Sequence, residues 1–264
     1  MAQSTTQSVG VFLKEYWTQI AAIYGVIQIW LIWLYKKIFK NPKIEIFPAN
    51  VIEIGYSYFG PTLGLYGTLN AVNKDVFISR VDLQVKRLRD NASYSFEWTA
   101  FRSNQFTMGN VSNIQLELPS GFIVSLSQPH RFNILFSDIE RKNQEMMPLM
   151  RNVDSIWDAR VQWALTQQPV PNSTDLFNQW VTPIAPKGVL DFYSGIERLC
   201  YWDEGRYLLT IVIQTENPAN RFSFNRNFEI STEDSRRLRN NALSILKEMC
   251  AQQNVTYNFA FSRI

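Results

Sequence analysis

The sequence predicts an α+β chain: an N-terminal transmembrane helix, then a mainly antiparallel β-sandwich that carries a helical insertion and a C-terminal helix. Three observations predict it. An uncharged run extends from Tyr16 to Tyr35, a series of short alternating runs fills residues 49–136, and 3.6-residue stripes recur at 149–165 and 238–249. The composition agrees, with 46% hydrophobic, 14% aromatic and 19% charged residues. So many rings favour strands and interfacial surfaces over a plain helical bundle.

Residues 1–15 read as a short polar tail and 16–35 as the helix. From Trp17 to Tyr35 the run would be roughly 28 Å long at 1.5 Å per residue, close to a bilayer's hydrocarbon thickness. Tyr16 and Trp17 at one end, with Trp30, Trp33 and Tyr35 at the other, have the amphipathic rings of interfacial belts. Lys36, Lys37, Lys40 and Lys43 come next, where headgroups would sit. A cleaved signal peptide would carry its charge before the apolar run and small residues after it; here the order is reversed. The lysine excess places residues 36–264 in the cytoplasm. The sequons at Asn91, Asn110, Asn172 and Asn254 argue for the other side, but with less weight than the lysines. Gly25 and Gln28 lie three apart on one helical face, a notch beside an amide, and so form the expected contact for a partner helix.

Residues 36–48 form a basic juxtamembrane linker in which Pro42 and Pro48 turn helix into extended chain. The domain proper is 49–264. Its strand signals are "VIEIGYSY", "LGLYGTLNAV", "VFISRVDLQVKRL", "YSFEWTAF", "NIQLELP", "GFIVSLS" and "HRFNILF", parted by the turns "FGPT", "NKD", "RDNAS" and "PSG". Ile78, Val81, Leu83 and Val85 alternate with polar neighbours, as in half-buried strands. Strands at this spacing read as an immunoglobulin-like or arrestin-like sandwich, which is a shape and not a function. A helical insertion occupies about 138–186. Leu149, Val153, Ile156, Trp157, Val161, Ala164 and Leu165 share one face from Pro148 on, and "TDLFNQWV" gives a short second helix capped by Thr174. "PIAPKG" closes the insertion, and "RYLLTIVIQT" and "FSFNRNFEIS" resume the strands. "STEDSRRLRNNALSILKEMCAQQ" is a helix with Glu233 and Asp234 in its positive first turn, and "VTYNFAFS" closes the chain as a strand. "LYGTLNAVNKDVF" and "LTIVIQTENPANRF" echo each other, as hairpins commonly do.

Chemistry is sparse. A net charge of +3 with no basic stripe excludes nucleic acid as a partner. Two cysteines 50 apart, Cys200 and Cys250, with the single His130, cannot build a zinc site, so no metal and no cofactor is expected. "GPTLGLYGT" lacks the Gly-Lys-Ser/Thr of a phosphate loop and reads as a turn entering a strand. His130 has no nucleophile elbow to serve, and Asp203 and Glu204 in "CYWDEGRY" are neighbours in a turn and do not converge as an acid–base pair. "SRRLRNN" is the solvated side of its helix. The tryptophans Trp157, Trp163, Trp180 and Trp202 are the candidate protein-binding surface, since interfaces concentrate large rings.

The expectation is therefore a non-catalytic, single-pass, membrane-anchored accessory or scaffolding subunit of a larger membrane assembly. Its partners would be the lipid bilayer and either an integral membrane protein or further copies of itself. The alternative is a membrane-tethered sensor that binds a ligand or lipid in a concave aromatic pocket near Trp202.

Overall fold

The computed structural model describes residues 16–17, 19, 21–35, 41–106, 112–151, 153–167, 186–251 and 254–264. A helix, α1, runs unbroken over 21–35. Among the described residues ten strands come after it, interrupted by helices. The first seven are β1 (Lys43–Ser57), β2 (Gly60–Val72), β3 (Val76–Arg87), β4 (Ser93–Phe106), β5 (Ser112–Glu117), β6 (Phe122–Val124) and β7 (His130–Ser137). Helices α2 (Ile139–Arg141), α3 (Met147–Arg151), α4 (Val153–Leu165) and α5 (Pro186–Leu199) come next, with a π turn, Lys142–Met146, joining α2 to α3. Strands β8 (Gly205–Glu216) and β9 (Asn220–Ile230), helix α6 (Thr232–Ala251) and β10 (Phe259–Arg263) complete the chain.

These strands belong to one antiparallel sheet in the order β10-β1-β2-β7-β4-β3-β8-β9, with β5 on β4 and β6 on β3. The sandwich expected from the alternation is thus corrected: one sheet curls on itself into a nearly closed barrel. Period-2 alternation says which side chains share a face and nothing about whether that face meets a second sheet or its own far side. Two long-range pairings decide it. β3 runs beside β8 from Phe77↔Glu216 to Arg87↔Tyr207, and β1 beside β10 from Val51↔Arg263 to Gly55↔Phe259. These bring β9 and β10 together without a ladder. At that seam the Ser262 hydroxyl accepts from the Glu229 N–H (3.1 Å) and donates to the Glu229 carbonyl (2.7 Å).

The inward faces make one core. Ile52, Ile54 and Tyr56 of β1 meet Leu63 and Leu65 of β2, Phe96 of β4, Phe136 of β7, and Tyr207, Leu209 and Ile211 of β8. The helices gather at the mouth where β1, β7 and β9 end and β8 and β10 begin. There Leu238, Ala242, Ile245 and Leu246 of α6 enter the core beside Phe192 and Ile196 of α5. Three buried polar groups fasten this plug. Trp202 donates from Nε1 to the Gly55 carbonyl (2.9 Å), Tyr56 Oη donates to the Ile196 carbonyl, and Asn241 donates to the carbonyls of Tyr56 and Asn258, both at 2.8 Å. Each joins a helix or its lead-in to a strand end, where main-chain groups would otherwise be buried without partners.

A second correction concerns the N-terminus. No helix among the described residues is long and apolar enough to cross a membrane. The expected transmembrane helix, the single-pass membrane location and the cytoplasmic placement of the domain are overturned together.

Candidate functional site

The mouth opposite the helices is built differently, because β4 leaves the barrel wall halfway along. Its first residues pair with β3 (Asp82↔Glu97 to Lys86↔Ser93) and its middle with β7. Beyond a bulge between Trp98 and Ala100 it stays beside β7 only to Phe101, and from Phe101↔Glu117 to Phe106↔Ser112 it pairs with β5. β6 takes its place beside β3, from Val76↔Val124 to Ile78↔Phe122. The β4–β7 ladder ends at Phe101↔Ile134, so His130–Asn133 have no ladder partner on that side. The Asp75 carboxylate fixes the loop between β6 and β7 by accepting from the Leu126 N–H at 2.7 Å and the Ser125 hydroxyl at 3.2 Å.

The two splayed strands leave a crevice of about 610 Å³ lined by Phe101, Arg102, Glu117, Phe122 and the run His130–Asn133. A second hollow of about 760 Å³ shares His130 and Arg131 with it. Rings form a wall of the first crevice. Phe122 stacks on His130 at 4.4 Å, and Phe101, Phe122 and Trp98 meet edge to face at 4.6–5.9 Å. The β4 bulge makes this possible, since the extra residue returns both Trp98 and Phe101 to the inner face. Burial pushes the His130 imidazole below its ordinary value.

Arg102, which also lines the crevice, is held in a polar cluster. Arg102 Nη1 pairs with Glu53 Oε1 at 2.7 Å, with both side chains about nine-tenths buried, and Tyr66 Oη donates to Glu53 Oε2 at 2.6 Å. Burial, then the hydrogen bond to Glu53, pushes the Tyr66 hydroxyl up to about 12. Gly64 leaves the space for this triad: a Cβ there would lie 3.1 Å from both Arg102 Nη1 and Glu53 Cβ. Arg131 is exposed and no ion pair engages it among the described residues. Among those residues four buried side-chain atoms lack a hydrogen-bond partner, and three belong to residues around this break in the wall: Trp98 Nε1, Ser103 Oγ and Asn133 Oδ1.

Glycine-rich "GPTLGLYGT" is strand β2 and its entry, as the missing lysine implied. At Gly67 a Cβ would sit 2.6 Å from the Phe47 carbonyl oxygen, so the glycine is there for close main-chain approach.

The residues singled out in the sequence fall apart in space. Trp202 is wholly buried, so its proposed place on a binding surface is corrected: it is a core ring, stacked on Phe96 at 5.6 Å. Trp163 is partly buried against the core, and the Trp157 side chain and Trp180 lie outside the described residues. Tyr16, Trp17, Trp30, Trp33 and Tyr35 are exposed, as is Gln28, and nothing stands within 4 Å of a Cβ at Gly25. Lys43 opens β1 and pairs with Glu45 at 2.8 Å; Lys36, Lys37 and Lys40 are outside the described residues, as is "TDLFNQWV". Asp203 gathers Arg87, Arg89 and Arg239, and Arg237 pairs with Asp234 at 3.7 Å, so two arginines of "SRRLRNN" are ion-pair partners rather than solvated charges. Cys200 is a buried free thiol that burial pushes up to about 12, which makes it a poor nucleophile. Among the described residues no group of three or more His, Cys, Asp or Glu is placed to share a metal ion.

Sequence reasoning missed two things. Helix α5 begins inside "PIAPKG", whose prolines and glycine read as a closing loop, yet Val189, Phe192, Ile196 and Leu199 keep a helical period and all four are buried. The crevice had no local signal, because its walls come from β4, β6 and β7 and exist only where pairing stops. Comparison with protein-family models, curated proteins and solved structures finds no match.

Proposed function

We propose that the protein is a non-catalytic accessory or scaffolding subunit that joins a protein assembly through helix α1, with the barrel as its stable body. One observation carries the reading. Along α1 the large apolar side chains are open to solvent on every side, with Ile23 60%, Val26 68% and Ile29 70% exposed. The barrel, by contrast, encloses a complete core. A contiguous apolar surface of this kind is a docking surface, because covering it removes area from water at about 25 cal/mol per Å². Gly25 and Gln28 supply the specificity: a notch that admits a partner's side chain, beside an amide that a partner can bond.

The barrel adds exposed Leu116, Leu118, Ile123 and Leu126 near the break in its wall, a second patch for the same or another protein. The test is gentle purification of the tagged full chain from its own cells, with crosslinking beforehand, and the mass measured by light scattering. A complex is expected that dissolves when Ile23, Val26 and Ile29 become lysine. A full chain that elutes alone as a monomer, with no crosslinked partner, rejects the proposal.

A further inference from the structure

We propose that the free edge of β9 binds an extended acidic segment of a partner protein as one further antiparallel strand. β9 ends the sheet order, so its side away from β8 has no ladder partner among the described residues. The seam shows which main-chain groups face that way. The N–H and the carbonyl of Glu229 both turn to Ser262, away from β8. The β8–β9 ladder runs without a bulge from Gly205↔Ile230 to Thr215↔Asn220, so every second residue, Asn227, Asn225, Ser223 and Arg221, turns the same way. Two of these groups have local partners: the Arg221 N–H donates to Asn220 Oδ1 at 2.8 Å, and the Asn225 carbonyl accepts from Arg226 Nη1 at 2.9 Å. The N–H groups of Ser223 and Asn225 have no partner among the described residues, and both residues are exposed. Other edges of the sheet are blunted. β1 has Pro48, a register shift after it and the Lys43–Glu45 ion pair, while β5, β6 and β10 are only six, three and five residues long. β9 has eleven residues, no proline and no bulge, which is the form of edge to which another chain adds.

The side chains of β9 select the occupant. Phe222 and Phe224 are half-buried and pack against the core, whereas Arg221, Ser223 and Asn225 are exposed on the opposite face. An added strand therefore lays apolar side chains beside the two phenylalanines and its alternate side chains beside Arg221. Neither Arg221 nor Arg226 meets a carboxylate among the described residues; Glu216, across the turn, pairs with neither, and Glu229 is paired with Arg206. Carboxylates on the incoming strand fit this edge, and ammonium groups do not. A second copy of β9 would bring two more arginines to the edge and no acid short of the seam. This inference does not depend on the partner proposed for α1, since it rests on β9 alone.

The experiment adds a capped heptapeptide, Val-Glu-Val-Glu-Val-Glu-Val, to the full chain and follows titration by calorimetry and amide hydrogen exchange residue by residue. Binding is expected with a Kd below about 1 mM. At about ten times that Kd, exchange at the Ser223 and Asn225 amides slows about 10-fold, while amides of the β3–β8 ladder do not change. The lysine counterpart, Val-Lys-Val-Lys-Val-Lys-Val, is weaker by at least about 5-fold, and Arg221→Ala weakens the glutamate peptide by about 2–5-fold, as for exposed ion pairs. Arg221 is exposed, so this variant keeps the core. In an antiparallel pair, opposed residues share a face, so the glutamate N–H groups are the ones that meet β9. N-methylation of the three glutamates therefore abolishes the slowing at Ser223 and Asn225. No binding at about 1 mM overturns the proposal. So does equal affinity for the glutamate and lysine peptides, or binding that leaves exchange at Ser223 and Asn225 unchanged. Slow exchange at these two amides in the chain alone, with a doubled mass by light scattering, overturns it in favour of a second copy.

Discussion

Replacing Asn241 by alanine tests whether the helical plug is held by polar groups or by apolar packing alone. Asn241 is fully buried on α6, and its side chain makes four hydrogen bonds. Nδ2 donates to the Tyr56 and Asn258 carbonyls at 2.8 Å; Oδ1 accepts from the Asn258 N–H at 2.8 Å and from its side-chain amide at 3.0 Å. One residue therefore fixes α6 to the end of β1 and to the chain leading into β10. Alanine removes that side chain and leaves three main-chain groups without it, the Tyr56 carbonyl buried and the two of Asn258 part-buried. At about 1–3 kcal/mol for each group left without a partner, and allowing for partial relaxation, the loss is about 3–5 kcal/mol. For a domain of this size that corresponds to a fall in Tm of roughly 8–15 °C. Urea unfolding followed by circular dichroism measures it, with the slope unchanged if the same surface is exposed. Asn241→Asp keeps the acceptor for the Asn258 N–H, loses both donors and buries a charge, so it is expected to be at least as damaging. A loss below about 1 kcal/mol for alanine would refute the reasoning, since the plug would then rest on Leu238, Ile245 and their neighbours.

Other expectations concern the seam, the tight glycine and the titrating groups. Ser262→Ala is expected to cost about 1 kcal/mol and to speed hydrogen exchange at the Glu229 amide while leaving amides in the β3–β8 ladder unchanged; equal protection would show that the seam closes without it. Gly67→Ala places a methyl group against the Phe47 carbonyl and the Phe132 ring, and is expected to lower stability by about 1–3 kcal/mol in thermal unfolding. At high pH, Cys200, Tyr66 and Tyr207 hold their protons to about 12, against ordinary values of 9.0 and 10.0. Their contribution is complete below about pH 9 and is lost as pH rises toward 12, because the unfolded chain ionises first. At the acid end, the Arg87 guanidinium bonded to Asp90 holds that carboxyl down at about 2, so its share of stability fades as pH falls from about 4 to 2. Asp90→Asn should flatten that acid limb of the unfolding midpoint.

Much of the chain was legible locally. The alternation in "ISRVDLQV" put Val81, Leu83 and Val85 on one side, and all three are buried in β3. "STED" marked the start of α6, where the Ser231 hydroxyl indeed accepts from the Asp234 N–H. The fold of those strands was not legible, nor was the crevice. Tyr201, Trp202 and Asp203 looked like an exposed aromatic turn beside loose charges. In space the two rings are core, Tyr201 Oη donates to Asp138 Oδ2 at 2.9 Å, and Asp203 collects arginines from β3, from the turn after it and from α6. Those partners are up to 116 residues away, and sequence spacing carries no trace of them.

By itself, then, the sequence determined most of the strands and helix α6, which side chains of a strand share a face, and that α1 is almost wholly apolar. These come from backbone period, turn chemistry and capping, which act over a few residues. Tertiary structure decided that the strands close into one barrel, that β4 swings out to leave a crevice beside β7, and that Trp202 is core. Each of these depends on which strand edges meet and where their pairing stops, and that balance is struck between residues far apart in the chain.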